Sequence, residues 1–403
     1  MTSFDRLLQP IGRDRFLADY FEQRPLHIER DDPGYYSDVF CDATMDRILS
    51  SVTIQPLDFE VIQDGVPVAH EAFSYARTLR KGEPELAVDL QELYARYDRG
   101  ATIYIDRVDH YDQPIADLCA QIRHLFKSTN IKASSFATPA GSQAFRAHFD
   151  TQDVYVLQIS GRKKWRLYEP TVELSAPFQE HPIDGDDPPP LMDELVLEPG
   201  DLLYFPRGVV HEALTVDGTP SLHVTISHTM HTWFDCVGRM IDLAGERDAR
   251  YDAPIPLRIL EAGVAEPELE RIVATRTADL MRGLADQVAL EARRVMATAF
   301  ARSRRPMFEG TLACLDARAP GEDYRVRPLL EFEIVDRGDR VELVFARTEL
   351  RYPSHYAATL RRIAAGERFA APDLTDLDGE SALALVRELL VQGFLVTARG
   401  GAR

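Results

Sequence analysis

Between Phe145 and Pro170 the chain reads Phe-Arg-Ala-His-Phe-Asp-Thr-Gln-Asp-Val-Tyr-Val-Leu-Gln-Ile-Ser-Gly-Arg-Lys-Lys-Trp-Arg-Leu-Tyr-Glu-Pro. Asp153–Ile159 is strand-like, Ser160-Gly161 turns the chain, and Lys164–Tyr168 is strand-like again. Upstream lies His148-Phe149-Asp150. In an extended segment residues i and i+2 point to one side, so an imidazole and a carboxylate can converge there.

Working outward, the same texture recurs. Ser134–Ala137, Leu195–Leu197, Asp201–Phe205 and Leu222–Ile226 read as short strands, punctuated by Pro199-Gly200 and Asp217-Gly218. Ala101–Asp106 alternates as a strand, and Pro114–Phe126 carries Ile115, Leu118, Cys119, Ile122 and Leu125 on one helical face. Short strands so spaced predict a sandwich or small barrel, foremost a jelly roll. Residues 1–100 are mixed, with helical pieces near 14–22 and 43–50, strand-like 26–28 and 52–54, and Asp42 as a helix cap. Strand signals vanish over 229–300, where Glu270–Phe300 carries an apolar stripe for packing within the chain or between subunits. In 301–403, Arg337-Gly-Asp joins two strands, two helices follow, and Gly393 caps the second before Phe394-Leu-Val. The expected fold is α+β: a mixed segment 1–100, a double-stranded β-helix (jelly-roll, cupin) core 101–228, a helical dimerisation-type region 229–300 and a winged-helix-like domain 301–403.

Composition sets the outer bounds. The 403 residues are 45% apolar and 28% charged, an ordinary globular balance. Acidic residues outnumber basic ones 65 to 46, a net charge of −19, which disfavours a non-specific nucleic-acid or anionic-membrane binder. Four cysteines lie far apart with no CxxC pair, so neither a disulfide framework nor a cysteine metal cluster is expected. The N-terminus has no signal-peptide pattern and no run reaches a membrane span, so a soluble cytoplasmic protein is expected.

A third ligand beside His148 and Asp150 must come from another strand. His211 is the candidate, because it follows the turn, apolar strand and second turn of Pro199–Gly208. Two imidazoles and one carboxylate on one side of a metal form the facial arrangement of non-haem Fe(II) oxygenases. The same spacing at His110-Tyr111-Asp112 sits in a polar connection before a helix and reads as loop chemistry. Arg162-Lys163-Lys164-Trp165-Arg166 is the most basic stretch of this acidic chain. Lys163, Trp165 and Leu167 share one face, and a cation on an inward face needs an anionic partner, such as a co-substrate carboxylate.

The stretch 145–170 resembles the core signature of the JmjC-type ribosomal oxygenases, cupin-like Fe(II)- and 2-oxoglutarate-dependent protein hydroxylases. Tyr20–Ile28, Pro199–His211 and Ser221–Thr225 resemble further parts of that family. The resemblance implies His148, Asp150 and His211 as iron ligands, with dioxygen and 2-oxoglutarate as co-substrates. It implies Lys163 at the distal carboxylate of 2-oxoglutarate and Ser134, His223 and Thr225 along the co-substrate pocket. The chain departs from the family at Ser134-Ser135-Phe136, where Asn-x-Tyr is frequent, and at Arg146-Ala147, where a proline commonly precedes the first metal histidine.

Three functions follow: hydroxylation of a His- or Arg-type side chain in a basic, ribosomal polypeptide; the same chemistry on a free amino acid or peptide natural product; or a non-catalytic cupin scaffold. The triad with Lys163 weighs against the scaffold. Residues 301–403 balance to zero charge without a basic stripe, so direct nucleic-acid binding is not expected, whereas a homodimer is. Residues 171–220 hold eleven acidic side chains against one arginine, which predicts a negative rim suited to a cationic substrate.

Overall fold

The computed structural model describes residues 3–51, 54–78, 82, 84–171, 187–216, 218–246, 249–255, 257, 266–287, 289–303 and 323–398. They fall into two units, Met1–Met230 and His231–Arg403. No helix among the described residues is long and apolar enough to cross a membrane.

The first unit opens with α1 (Phe4–Leu7), α2 (Arg13–Asp19), β1 (Leu26–Ile28) and α3 (Asp42–Leu49). Cys41 holds the cap position of α3, and Asp42, expected there, is its first helical residue. Of the strand expected at 52–54, residues 52 and 53 lie outside the described residues. Next come β2 (Phe59–Gln63), β3 (Val66–Pro67), β4 (Ser74–Thr78), β5 (Pro84–Val88), α4 (Leu90–Asp98), β6 (Thr102–Ile105) and α5 (Gln113–Phe126). Eight strands complete the unit: β7 (Asn130–Thr138), β8 (His148–Phe149), β9 (Asp153–Gly161), β10 (Lys163–Tyr168), β11 (Leu191–Leu197), β12 (Leu202–Phe205), β13 (Val210–Thr215) and β14 (Ser221–Thr229).

These eight strands divide between two antiparallel sheets, in the orders β12-β9-β14-β7 and β11-β10-β13-β8. The chain keeps crossing from one sheet to the other, which is jelly-roll connectivity. β1 extends the first sheet at one edge, and β6, β2 and β3 extend it at the other. Period two explains why β9 is buried on both faces. Tyr155 and Leu157 join Phe4, Phe16, Leu118 and Ile122 beneath the helices, while Val154 and Val156 meet Trp165, Leu167 and Leu197 of the smaller sheet.

The β9–β10 turn has one feature that only glycine permits. Gly161 has φ +64°, and a Cβ there would lie 1.7 Å from the carbonyl oxygen of Pro220. This close approach sets the point where the chain leaves one sheet for the other, and fixes which residues of β10 face inward. Lys163, Trp165 and Leu167 are buried. Lys164 and Arg166 point the other way, to Glu194 on β11.

The second unit begins with α6 (Trp233–Gly245), α7 (Glu266–Gln287) and α8 (Ala289–Ser303). The stripe over Glu270–Phe300 is thus shared by two helices; residue 288 between them, and the side chains of Ile272 and Leu284, lie outside the described residues. Leu243 and Ala244 of α6 pack on Ala292 of α8, while Trp233 and Phe234 are 84% and 68% exposed. β15 (Tyr324–Val326) later pairs with β19 (Leu395–Thr397), and β16 (Phe332–Asp336), β17 (Arg340–Phe345) and β18 (Thr348–Pro353) form a meander. The expected hairpin at Arg337–Asp339 and the helices Ala357–Ala364 and Gly379–Val391 are present. Gly393, at φ +76°, ends the second helix, with the Phe394 N–H reaching back to the Leu389 carbonyl.

Candidate metal and co-substrate site

A cavity of about 370 Å³ opens between the two sheets of the first unit. All seven residues singled out in the sequence line it: Ser134, His148, Asp150, Lys163, His211, His223 and Thr225.

β8 spans only two residues, yet it places the first ligand candidate. Antiparallel pairing with β13 sets His148 directly across from His211, with ring centroids 4.5 Å apart. Asp150 follows where the strand ends, and its backbone carbonyl accepts from the N–H of Gly208, in the turn that leads to His211. Donor atoms of the three side chains lie within 4.8 Å of one another, and His211 Nε2 is 3.8 Å from an Asp150 oxygen. The other ring nitrogen of each histidine is already committed. His148 Nδ1 is 2.7 Å from the Arg146 carbonyl and His211 Nδ1 is 3.1 Å from the Val209 carbonyl. A carbonyl partner keeps the proton on Nδ1 and leaves Nε2 as the atom that could take a metal. Burial pushes His211 down to about 4, and the neighbouring His148 adds to this, so the ring is neutral as a ligand must be. This donor set fits a divalent iron, manganese or cobalt ion with positions left open. It is the only such cluster among the described residues.

Deeper in the cavity Lys163 is 1% exposed. Its ammonium donates to the Thr138 hydroxyl at 3.0 Å, and burial pushes it down to about 7. No carboxylate neutralises it among the described residues, so an anion entering the cavity gains a desolvated cation as partner. His223, 2% exposed, stacks on Phe136 at 4.8 Å and meets the edge of Trp165 at 5.7 Å. Its Nδ1 has no hydrogen-bond partner among the described residues, and burial together with Lys163 holds the ring neutral. The Thr225 hydroxyl is 3.5 Å from the Ser134 carbonyl.

One wall was missed in the sequence. Ser134, Tyr104 and Lys132 all donate to one oxygen of Asp106, at 3.0, 2.9 and 3.0 Å. Burial pushes Asp106 up, but Lys132 and these hydroxyls hold it below the ordinary carboxylate value. The even spacing of Tyr104 and Asp106, and of Lys132 and Ser134, was a signal that the two strands share a face. The expected acidic rim is different in kind. None of the described carboxylates of 171–220 lines the cavity: Glu194 and Glu212 are spent on Lys164 and Arg166, and Asp201 faces backbone N–H groups and His27. Residues 172–186 and 217 lie outside the described residues. Among the described residues, the carboxylates that do line it are Glu60 and Asp150.

Comparison with known proteins agrees with this geometry. Residues 110–236 match the JmjC domain family. The chain is 32% identical to Ribosomal oxygenase 2 of Mus musculus over 295 residues, which is 71% of this chain and 60% of the mouse protein. Against Ribosomal oxygenase 2 of Bos taurus the match is 29% over 440 residues, 96% of this chain and 91% of the relative. Among solved structures, the ribosomal oxygenase YcfD from Escherichia coli, in complex with cobalt and 2-oxoglutarate, superposes with a TM-score of 0.51. That match covers 96% of this chain and 98% of YcfD at 19% identity, a likeness of fold. By sequence relatives, domain match and fold together, the chain belongs to the JmjC-type ribosomal oxygenase family.

Proposed function

We propose that this protein is an Fe(II)- and 2-oxoglutarate-dependent hydroxylase acting on a His- or Arg-type side chain of a basic, ribosomal polypeptide. The observation that carries the reading is one cavity holding both the His148–Asp150–His211 cluster and the buried, unneutralised Lys163. His148, Asp150 and His211 hold the metal, and Lys163 pairs with the distal carboxylate of 2-oxoglutarate. Ser134, His223 and Thr225 line the co-substrate's place. Bound Fe(II) supplies dioxygen activation, so that one oxygen atom enters a substrate C–H bond while 2-oxoglutarate becomes succinate and carbon dioxide.

The protein's own share is placement and dryness. Phe205, Trp165 and Val154 wall the metal end with apolar surface. Phe145, 36% exposed, stands at the cavity beside His148, and Glu60 adds a carboxylate for a cationic side chain. Four functional parts are proposed, with boundaries at 100/101, 228/229 and 300/301. The proposed homodimer contact is 229–300, a reading supported by the exposed Trp233, Phe234 and Ile241 of α6, and the proposed role of the winged-helix-like 301–403 is to support it without binding nucleic acid. The cytoplasm is the proposed place of action.

Anaerobic addition of Fe(II) and 2-oxoglutarate should give a weak visible charge-transfer band. With basic ribosomal peptides, succinate should form and the peptide should gain the mass of one oxygen atom. No band, and no succinate with any peptide or free amino acid, overturns the reading. Turnover of free amino acids alone would replace the polypeptide with a small substrate.

A further inference from the structure

Two lysines line the same cavity and are treated oppositely by the fold. Lys132 is ion-paired with Asp106 at 3.0 Å, so its charge is spent within the protein. Lys163 has a neutral partner, the hydroxyl of Thr138. We infer that Thr138, backed by Thr102, is a positioning residue for the co-substrate: it aims the Lys163 ammonium while leaving its charge for the distal carboxylate. This role rests on the function proposed above.

The backing is built in two steps. Ile103 pairs with Ala137 across β6 and β7, so Thr102 and Thr138 face each other one position further along. The Thr102 hydroxyl donates to Thr138 Oγ1 at 3.3 Å, and Lys163 Nζ donates to the same oxygen at 3.0 Å. Both threonines are 0% exposed. Valine has the same shape and a higher tolerance for such a place, because a buried hydroxyl costs free energy unless it bonds. The bonds of this pair lead in one direction, to Lys163. A carboxylate in place of Thr138 would neutralise the ammonium, as Asp106 does for Lys132. An apolar side chain would leave it without a protein partner, and burial would then favour the uncharged amine still more. A hydroxyl is the choice that orients the cation and keeps its charge on offer. The titratable group facing Lys163 from β14 is His223, whose ring is neutral.

The test is calorimetric titration of 2-oxoglutarate into protein loaded with Mn(II), which binds without turnover. Thr138→Val should weaken 2-oxoglutarate binding by about 10- to 100-fold, the scale of one hydrogen bond to a charged group. Mn(II) affinity should stay within about twofold, and Thr138→Ser should restore most of the loss. Thr102→Val should weaken binding about threefold, less than the loss of the direct partner. In Thr138→Val the fall of affinity with rising pH should begin at lower pH than in the wild type, which a merely structural role would not move. If Thr138→Val binds 2-oxoglutarate as wild type does, the role is wrong. If that variant does not fold, Thr102→Val decides: unchanged affinity overturns the inference, and weakened affinity with unchanged Mn(II) binding supports it. A wild-type protein that takes Mn(II) but no 2-oxoglutarate overturns the proposed function itself.

Discussion

His110-Tyr111-Asp112 and His148-Phe149-Asp150 are one sequence pattern laid on two kinds of backbone. The first starts on a 3₁₀ turn, Val108–His110, and ends at the start of α5, so its side chains diverge. Asp112 turns inward and takes a 2.9 Å hydrogen bond from Arg47, while His110 lies 3.8 Å from Asp109. The second starts on β8, where pairing with β13 brings a second imidazole across. A His-x-Asp pattern therefore carries no ligand set by itself. The strand period and a neighbour at the right register are what bring three donor groups together.

The largest expected effect separates the two patterns outright. His148→Ala should lose several kcal/mol of metal-dependent chemistry, about 10³-fold or more in succinate release, together with Mn(II) binding. The comparison breaks if His110→Ala does this instead. Next comes the other end of the cavity. Lys163→Met should weaken 2-oxoglutarate binding about 100-fold, the cost of removing one partner of a buried charge pair. It should raise the melting temperature as well. The folded lysine gives up its proton near pH 7 and the unfolded one near 10.5, so burying the charge costs stability below that window and less as pH rises through it. A fall in both quantities would mean that Lys163 is a structural cation.

A smaller effect isolates burial from ligation. His228 is buried like His211 but bonds to the Ser128 hydroxyl at 2.9 Å, and burial pushes it down to about 3. Between pH 6.5 and about 3 the unfolded chain takes up a proton that the folded chain refuses, so stability falls as pH falls. The slope is about 1.4 kcal/mol per pH unit for each such proton. Thermal melts of His228→Phe across this range should show a shallower decline, and an unchanged slope would remove His228 from the account. Smallest of all, Asp112→Ala should cost about 1 kcal/mol in urea unfolding through the lost Arg47 bond. Its Mn(II) affinity should match wild type; weakened metal binding would tie the two patterns together.

The His148–Asp150–His211 cluster was legible because its chemistry is local. His148 and Asp150 differ by one strand period, and His211 follows two turn signals that place a strand end. Lys163 was legible for a related reason, since an alternating run fixes its face. β8 itself was invisible as an element, for two residues show no periodicity. Its partner β13 was read only through His211. Tyr104 and Asp106 left only their even spacing as a signal, and Thr102 and Thr138 left none, because their roles arise from the pairing of β6 with β7 across a whole helix. The described carboxylates of the acidic stretch 171–220 lie away from the cavity for the opposite reason. Counting charges ignores alternation, and Glu194 and Glu212 stand on the face turned away from the cavity.

Arg162, Lys163 and Lys164 are three cations in succession, and only one can occupy the inward place. Gly161, pressed against the Pro220 carbonyl, decides among them. A single inserted residue after this glycine would exchange the faces of β10, turning Trp165 and Leu167 outward and bringing Arg166 in. The turn thus works as the reading-frame marker of the cavity. Length is the property it protects, because one residue gained or lost there would turn Lys163 out of the cavity.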